Sequence, residues 1–216
     1  MRLINFKTKL VLLHLIHVSS EAVARASNIT VRLAKLSDIS SIRNINLRTL
    51  PENYTKEFYE SQLMQWPMLS LVAEYKAAGK EDRPEVIGYI LGAIQGLDAL
   101  FHGGKRGPEF TAGGHLTSLA VVPERRRMGA AIRLVSEFHG QLKREHRVNR
   151  CSLHVRKSNH KAVNLYKSVF GYTTAEVVRE YYQDKEDAFL MTVNLEEAER
   201  GYYEYCMHEF SSKTEL

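Results

Sequence analysis

His115-Leu116-Thr117-Ser118-Leu119-Ala120-Val121-Val122-Pro123-Glu124-Arg125-Arg126-Arg127-Met128-Gly129-Ala130-Ala131 is an apolar run that stops at a proline, turns through arginines and a glycine, and opens into a periodic segment. Beyond the turn, Ala131, Leu134, Val135, Phe138 and Leu142 recur at helical spacing. The pattern predicts a strand from Leu116 to Val122 and an amphipathic helix from Arg127 to Arg147. The first amides of a helix have no partners within it. Together with the helix dipole, the close approach that Gly129 allows and the charge of the arginines, they make the turn Arg126-x-x-Gly129-x-Ala131 a good seat for a phosphate group. A basic helix start on the surface would show the same residues, so this segment alone supports only an anion held at a helix start.

Working toward the C-terminus, Cys151-Ser152-Leu153-His154-Val155-Arg156 alternates apolar with polar residues and reads as a strand with one core face and one polar face. Ser158 is placed to cap a helix from Asn159 to Phe170, which Gly171 ends. Thr173 to Glu180 and Ala188 to Leu195 read as two strands paired across Gln183 to Asp187. Residues 196–216, rich in charge and tyrosine, are left as a C-terminal tail without assigned structure.

Toward the N-terminus, Gly96 to Gly114 is glycine-rich and charged and reads as a loop. Strands are expected from Leu69 to Tyr75 and from Val86 to Ile94, separated by a polar hairpin loop with Gly79 and Pro84. Before them, Lys56 to Trp66 reads as a helix turning Phe58, Tyr59 and Leu63 inward. Pro51 separates it from an earlier helix, capped by Ser37-Asp38, with Ile39, Ile42, Ile45 and Leu47 on its core side. Ile29 to Leu33 is the first strand, and the domain starts near residue 28.

The 216 residues suit one domain, spanning 28–195, and 44% hydrophobic with 25% charged residues is the balance of a folded chain. A net charge of +5 favours an anionic ligand or partner without choosing among cofactor, RNA and membrane surface. Cys151 and Cys206 show neither disulfide-framework nor metal-ligand spacing, so no metal is expected. Residues 1–27 carry Arg2, Lys7 and Lys9 before an apolar run from Leu10 to Val18 and the pattern Ala24-Arg25-Ala26, as in a secretory signal peptide. His14 and His17 interrupt that run. Secretory or organellar targeting, an extension upstream of a cytoplasmic enzyme, and a misplaced start all remain open.

The turn after Leu119-Ala120-Val121 resembles the acetyl-CoA motif of the GNAT superfamily. Leu50-Pro51-Glu52-Asn53-Tyr54, Gly114 to Val121, Ser152-Leu153-His154-Val155-Arg156-Lys157-Ser158-Asn159 and Tyr181-Tyr182, followed by Glu186-Asp187-Ala188, resemble the catalytic subunits of NatA-type N-terminal acetyltransferases. These matches fall in the family's order across residues 29 to 195. The N-terminal extension and the 96–114 loop depart from its pattern. The resemblance implies a single α/β domain with the GNAT fold, a mixed twisted sheet flanked by helices on both faces. It implies acetyl-CoA held by Leu119, Val121, Arg126, Arg127, Gly129 and Ala131, with Asn159 and Tyr166 at the pantetheine arm and sulfur. It also implies strands that splay at the cofactor, so that free amides face the thioester oxygen. The substrate would be a protein N-terminus bearing Ala, Ser, Thr, Gly, Val or an acidic first residue. Leu50, Pro51, Glu52 and Tyr54 would line its first-residue pocket, with Arg156 nearby and Tyr181 and Tyr182 clamping the peptide backbone. A helical-repeat auxiliary subunit at the ribosome is implied as a partner, and no specific nucleic acid.

Chemically, an α-amino group titrates near pH 8, so roughly one in ten is already neutral at pH 7. A histidine suffices as base, and His115 and His154 are both candidates. Glu52 and Tyr166 join them as catalytic candidates, Tyr166 as proton donor to the departing thiolate. Cys151 falls on the apolar strand face, which argues for direct attack rather than an acyl-enzyme. The alternatives are acetylation of lysine or of a small amine, and a non-catalytic scaffold or RNA-binding module using the basic turn.

Overall fold

A computed structural model describes residues 28–77, 84–96 and 112–211, with side chains through 206. The signal-like segment 1–27 and most of the 96–114 loop lie outside the described residues. Among the described residues, seven strands form one mixed sheet: β1 (Ile29–Leu33), β2 (Ser70–Tyr75), β3 (Glu85–Gly96), β4 (Ala112–Val121), β5 (Arg150–Arg156), β6 (Thr173–Val178) and β7 (Ala188–Asn194). Their spatial order is β1-β2-β3-β4-β5-β7-β6. The helices are α1 (Ile39–Thr49), α2 (Lys56–Gln65), α3 (Ala130–Glu145), α4 (His160–Phe170) and α5 (Leu195–Ser211). This is the expected α/β architecture. β4 and β5 pair parallel through the α3 crossover, and each of the other neighbouring pairs is antiparallel.

Adjacent residues of a strand face opposite ways, so two neighbours on β3 show how the helices divide between the faces. Tyr89 accepts a hydrogen bond from Asn46 of α1 at 2.9 Å. On the other face, a Cβ at Gly92 would run into Phe138 of α3, and one at Gly88 would reach ordinary contact with Leu134. α1 and α3 therefore cover opposite sides. Leu134, Val135, Phe138 and Leu142 of α3 are fully buried, and burial of each side chain is worth about 1.5–3 kcal/mol. α4 and α5 join α3: the His139 ring meets Phe170 edge-on at 5.4 Å, and Phe170 stacks on Tyr202 at 5.9 Å. His139 Nε2 lies 2.8 Å from the Tyr172 hydroxyl in this interior, where burial pushes the imidazole down to about 3.

Several expectations shift, each for a physical reason. Leu47 is 57% exposed rather than in the core. At 100° per residue it stands about 140° from the mean direction of Ile39, Ile42 and Ile45, and Asn46 takes the inward place. α3 begins at Ala130, not Arg127, because Arg127 (φ 64°) and Gly129 (φ 83°) are left-handed turn residues. It ends at Glu145, with Arg147 left-handed as well. Ser158 does not cap α4; Asn159 does, its Oδ1 accepting from the Ala162 amide at 3.2 Å. β4 starts at Ala112, so Gly113 and Gly114 belong to a strand rather than a loop. His115 therefore sits inside that strand instead of at its start. Residues 196–211, unassigned by sequence, continue as α5.

Candidate functional site

β4 and β5 stay together for three residue pairs only, Gly114 with Cys151, His115 with Ser152 and Leu116 with Leu153. Beyond these, β4 follows β3 as far as Val121 and β5 follows β7 as far as Arg156. The two inner edges separate there, leaving backbone groups of residues 117–121 and 154–156 without a ladder partner across the gap. An irregularity in the β3 pairing helps part them: Leu91 faces Ser118 and Gly92 faces Leu116, so Thr117 is an extra residue that bends β4. Leu119 and Val121 both lie on the diverging stretch.

At the end of β4, Pro123–Arg125 makes a 3-10 turn and the chain swings through Arg126 to Gly129 into α3. Arg126 Nε donates to the Val121 carbonyl at 3.0 Å, tying the turn to the strand end. Gly129 is the helix N-cap and offers no capping side chain, so the first amides of α3 remain available. A Cβ on Gly129 would meet nothing within 4 Å. The glycine is thus demanded by its positive φ rather than by crowding. Arg126 and Arg127 are exposed, with no ion pair among the described residues. Uncapped amides, a bare glycine and two exposed guanidinium groups without an acidic partner among the described residues suit a pyrophosphate. Ala131 lies in the first turn of α3.

The amine-side candidates gather on the face covered by α1. His115 and Ser152 are direct cross-strand neighbours, and His115 Nδ1 lies 2.9 Å from Ser152 Oγ. The Ser152 hydroxyl donates to the Gly114 carbonyl at 3.3 Å. Two residues along β5, the His154 ring lies 5.4 Å from that of His115 and stacks on Tyr181 at 4.2 Å, with 11° between planes. Tyr181 meets Tyr182 edge-on. Burial, with His154 close by, pushes His115 down to about 4, so it is neutral at pH 7.

Arg156, next on this face, binds Glu52 through Nε at 3.0 Å, and Asp184 and Glu186 through Nη1 at 2.8 and 2.6 Å. Its guanidinium also sits 4.0 Å over the Tyr182 ring. The cluster draws the α1–α2 connection, the end of β5 and the β6–β7 connection to one point. Glu186 further accepts from the Ser158 amide at 2.9 Å, and these hydrogen bonds, with Arg156 adding to them, hold its carboxyl down to about 2. Leu50 is extended, as the residue before Pro51 must be. Tyr54 stacks on Phe58 at 4.2 Å, and burial pushes its phenol up to about 12.

Tyr166 stands on the opposite side of β5 from the histidines. It is buried beside Cys151 and Tyr172, and burial raises its phenol well above the ordinary value. Cys151 is buried too, its thiol pushed up to about 12 and so protonated at neutral pH. Most of the sequence-predicted residues thus form three groups: the turn at Arg126–Ala131, the amine-side wall of His115, His154, Tyr181, Tyr182, Glu52 and Arg156, and Tyr166 of α4 with Asn159 at that helix's cap. Sequence reasoning missed Ser152 and Asp184. Ser152 shares the polar face with His154, a usable signal, but its partner His115 becomes visible only through the β4–β5 register.

A sheet opened between two parallel strands, with an uncapped, arginine-flanked helix start beside the opening, defines the class: the chain belongs to the acetyltransferase (GNAT) family, whose model matches residues 39–172. The cosubstrate of this family is acetyl-CoA. Within it, the chain is similar to the N-terminal acetyltransferase complex ARD1 subunit homolog of Dictyostelium discoideum, 37% identical over 77% of this chain and 73% of that relative. It is also similar to the N-terminal acetyltransferase A complex catalytic subunit NAA10 of Arabidopsis thaliana, 33% identical over 77% and 78%. Among solved structures, Chaetomium thermophilum Naa20 in complex with a bisubstrate analogue aligns with a TM-score of 0.63 at 30% identity, covering 79% of this chain and 89% of that one.

Proposed function

We propose that this chain transfers the acetyl group of acetyl-CoA to the α-amine of protein N-termini by direct attack in the gap between β4 and β5. The observation that carries the reading is the wall of His115, His154, Tyr181 and Tyr182 beside that gap. Relatives named as N-terminal and N-alpha-acetyltransferases support it. The pyrophosphate rests on the α3 amides with Arg126 and Arg127, and unpaired amides of residues 117–121 face the thioester oxygen. The neutral amine attacks from the histidine side. Bond formation leaves the nitrogen cationic and far more acidic than before, so a weakly basic imidazole suffices to take its proton, and His115 is that base. The electron pair of the C–S bond leaves with sulfur toward the α4 side, where Tyr166 supplies the proton. Tyr181 and Tyr182 hold the peptide backbone, which a small amine would not need, and Leu50, Pro51, Glu52 and Tyr54 border the first side chain.

The test is acetylation by the full-length chain of peptides beginning with Ala, Ser, Thr, Gly, Val, Asp or Glu, beside a lysine peptide with a blocked N-terminus. Transfer to free N-termini and not to the blocked peptide is expected. Transfer to the blocked peptide alone overturns the assignment. A helical-repeat auxiliary subunit, met in the cytoplasm at the ribosome, belongs to the same proposal. Leu47 of α1 and Met64 of α2, 57% and 69% exposed, offer it apolar contacts. Substituting both with Glu should abolish co-purification of such a subunit while leaving the fold intact.

A further inference from the structure

We propose that Ser152 is a positioning residue that fixes His115 in its Nδ1–H tautomer and leaves Nε2 as the nitrogen that receives the substrate's proton. The deduction follows the direction of two hydrogen bonds. A backbone carbonyl can only accept, and the Gly114 oxygen at 3.3 Å gives the single hydroxyl proton of Ser152 a partner other than His115. With its proton on the carbonyl, the Ser152 oxygen accepts at 2.9 Å, which puts a proton on His115 Nδ1. A neutral imidazole carries one N–H, and its other nitrogen keeps the lone pair. Among the described residues Nε2 makes no hydrogen bond.

The arrangement is built into the sheet. Gly114 and Ser152 lie on the two strands within the three parallel pairs that precede their separation, and Ser152 is completely buried. No water competes for its hydroxyl, and the tautomer is set by the same register that opens the gap. In the reaction, a proton leaves the newly bonded nitrogen for Nε2, giving an imidazolium whose Nδ1–H still rests on Ser152. That proton later passes to solvent. The inference rests on the reading of His115 as the base.

The experiment has two arms on the full-length chain. In the first, 15N-labelled histidine is followed by long-range 15N–1H NMR at pH 7.5, and His115 is assigned by its loss in His115→Asn. The expected spectrum shows a protonated-type Nδ1 and a lone-pair-type Nε2. An Nε2–H pattern overturns the proposal whatever the activity. In the second arm, Ser152→Ala is expected to lower kcat about 10-fold or more, part of what a general base contributes. The KM for acetyl-CoA should stay within about twofold, since the cosubstrate's pyrophosphate is held elsewhere, on the α3 turn. Ser152→Thr, which keeps the hydroxyl, should recover most of the loss. Adding Ser152→Ala to His115→Ala should cost nothing further, because Ser152 acts through His115. Unchanged kcat in Ser152→Ala, or an additive loss in the double variant, overturns the positioning role. Absence of transfer to any free N-terminus by the wild type would defeat the proposed substrate class instead, with the NMR result still deciding the tautomer.

Discussion

Two neutral histidines inside one small domain should make this protein acid-sensitive over a window set by their burial. Burial pushes His115 down to about 4 and His139 down to about 3. In the unfolded chain both return to about 6.5. Between pH 6.5 and 4 the unfolded state therefore binds more protons than the native one, so stability rises with pH and falls on acidification. At pH 5 an unfolded histidine is almost fully protonated, whereas these two are almost fully neutral in the fold. Each withholds close to one proton, worth about 2 kcal/mol relative to pH 7.5, or about 4 kcal/mol for the pair. Against a usual total of about 5–15 kcal/mol that is a large loss. The carboxylates barely enter this window, because Glu186, held down to about 2, gives stability that is present above its unfolded value and lost only as the pH falls further.

The assay is urea unfolding at pH 7.5 and pH 5.0 for the wild type and for His139→Gln. Glutamine keeps a hydrogen-bonding partner for the Tyr172 hydroxyl, now 2.8 Å from His139 Nε2, but does not titrate. The wild-type difference between the two pH values should be about 4 kcal/mol, and that of His139→Gln about 2 kcal/mol. A wild-type difference under about 1 kcal/mol, or the same difference in both proteins, would refute the reasoning that these imidazoles stay neutral in the fold.

Gly129→Ala should cost about 1 kcal/mol or more, because φ is 83° there and an L side chain resists it. It should also weaken acetyl-CoA binding, both read by thermal shift with and without the cosubstrate. Arg156→Leu leaves Glu52, Asp184 and Glu186 without their shared cation and uncovers Tyr182. The peptide KM should rise about 10-fold while the acetyl-CoA KM stays within about twofold, a split that initial-rate kinetics resolves. Gly92→Ala places a Cβ 2.4 Å from the Phe138 ring and 2.7 Å from the His115 carbonyl oxygen. Overpacking of that kind costs about 1–3 kcal/mol and should appear as a lower denaturation midpoint.

What the sequence shows and what it hides divide along the range of the interactions. Strand alternation in Cys151–Arg156 and helical spacing in Ala131–Leu142 are local, and both elements form with the expected faces. Other expectations fail where a distant partner decides. Gly113 and Gly114 look like loop residues, yet they are strand because β3 pairs with them, and Gly114 leaves room for Leu142 of α3. The site has the same property. Glu52 was legible as a charged residue in a Pro-containing turn, but Arg156 lies 104 positions away and binds it from another strand. Ser152 is the extreme case. Its place on the polar face with His154 is a weak signal, and its importance arises only because the parallel pairing sets it between the Gly114 carbonyl and the His115 ring. A local reading can find the residue that takes a proton, then, but not the one that decides which of its nitrogens is free to do so.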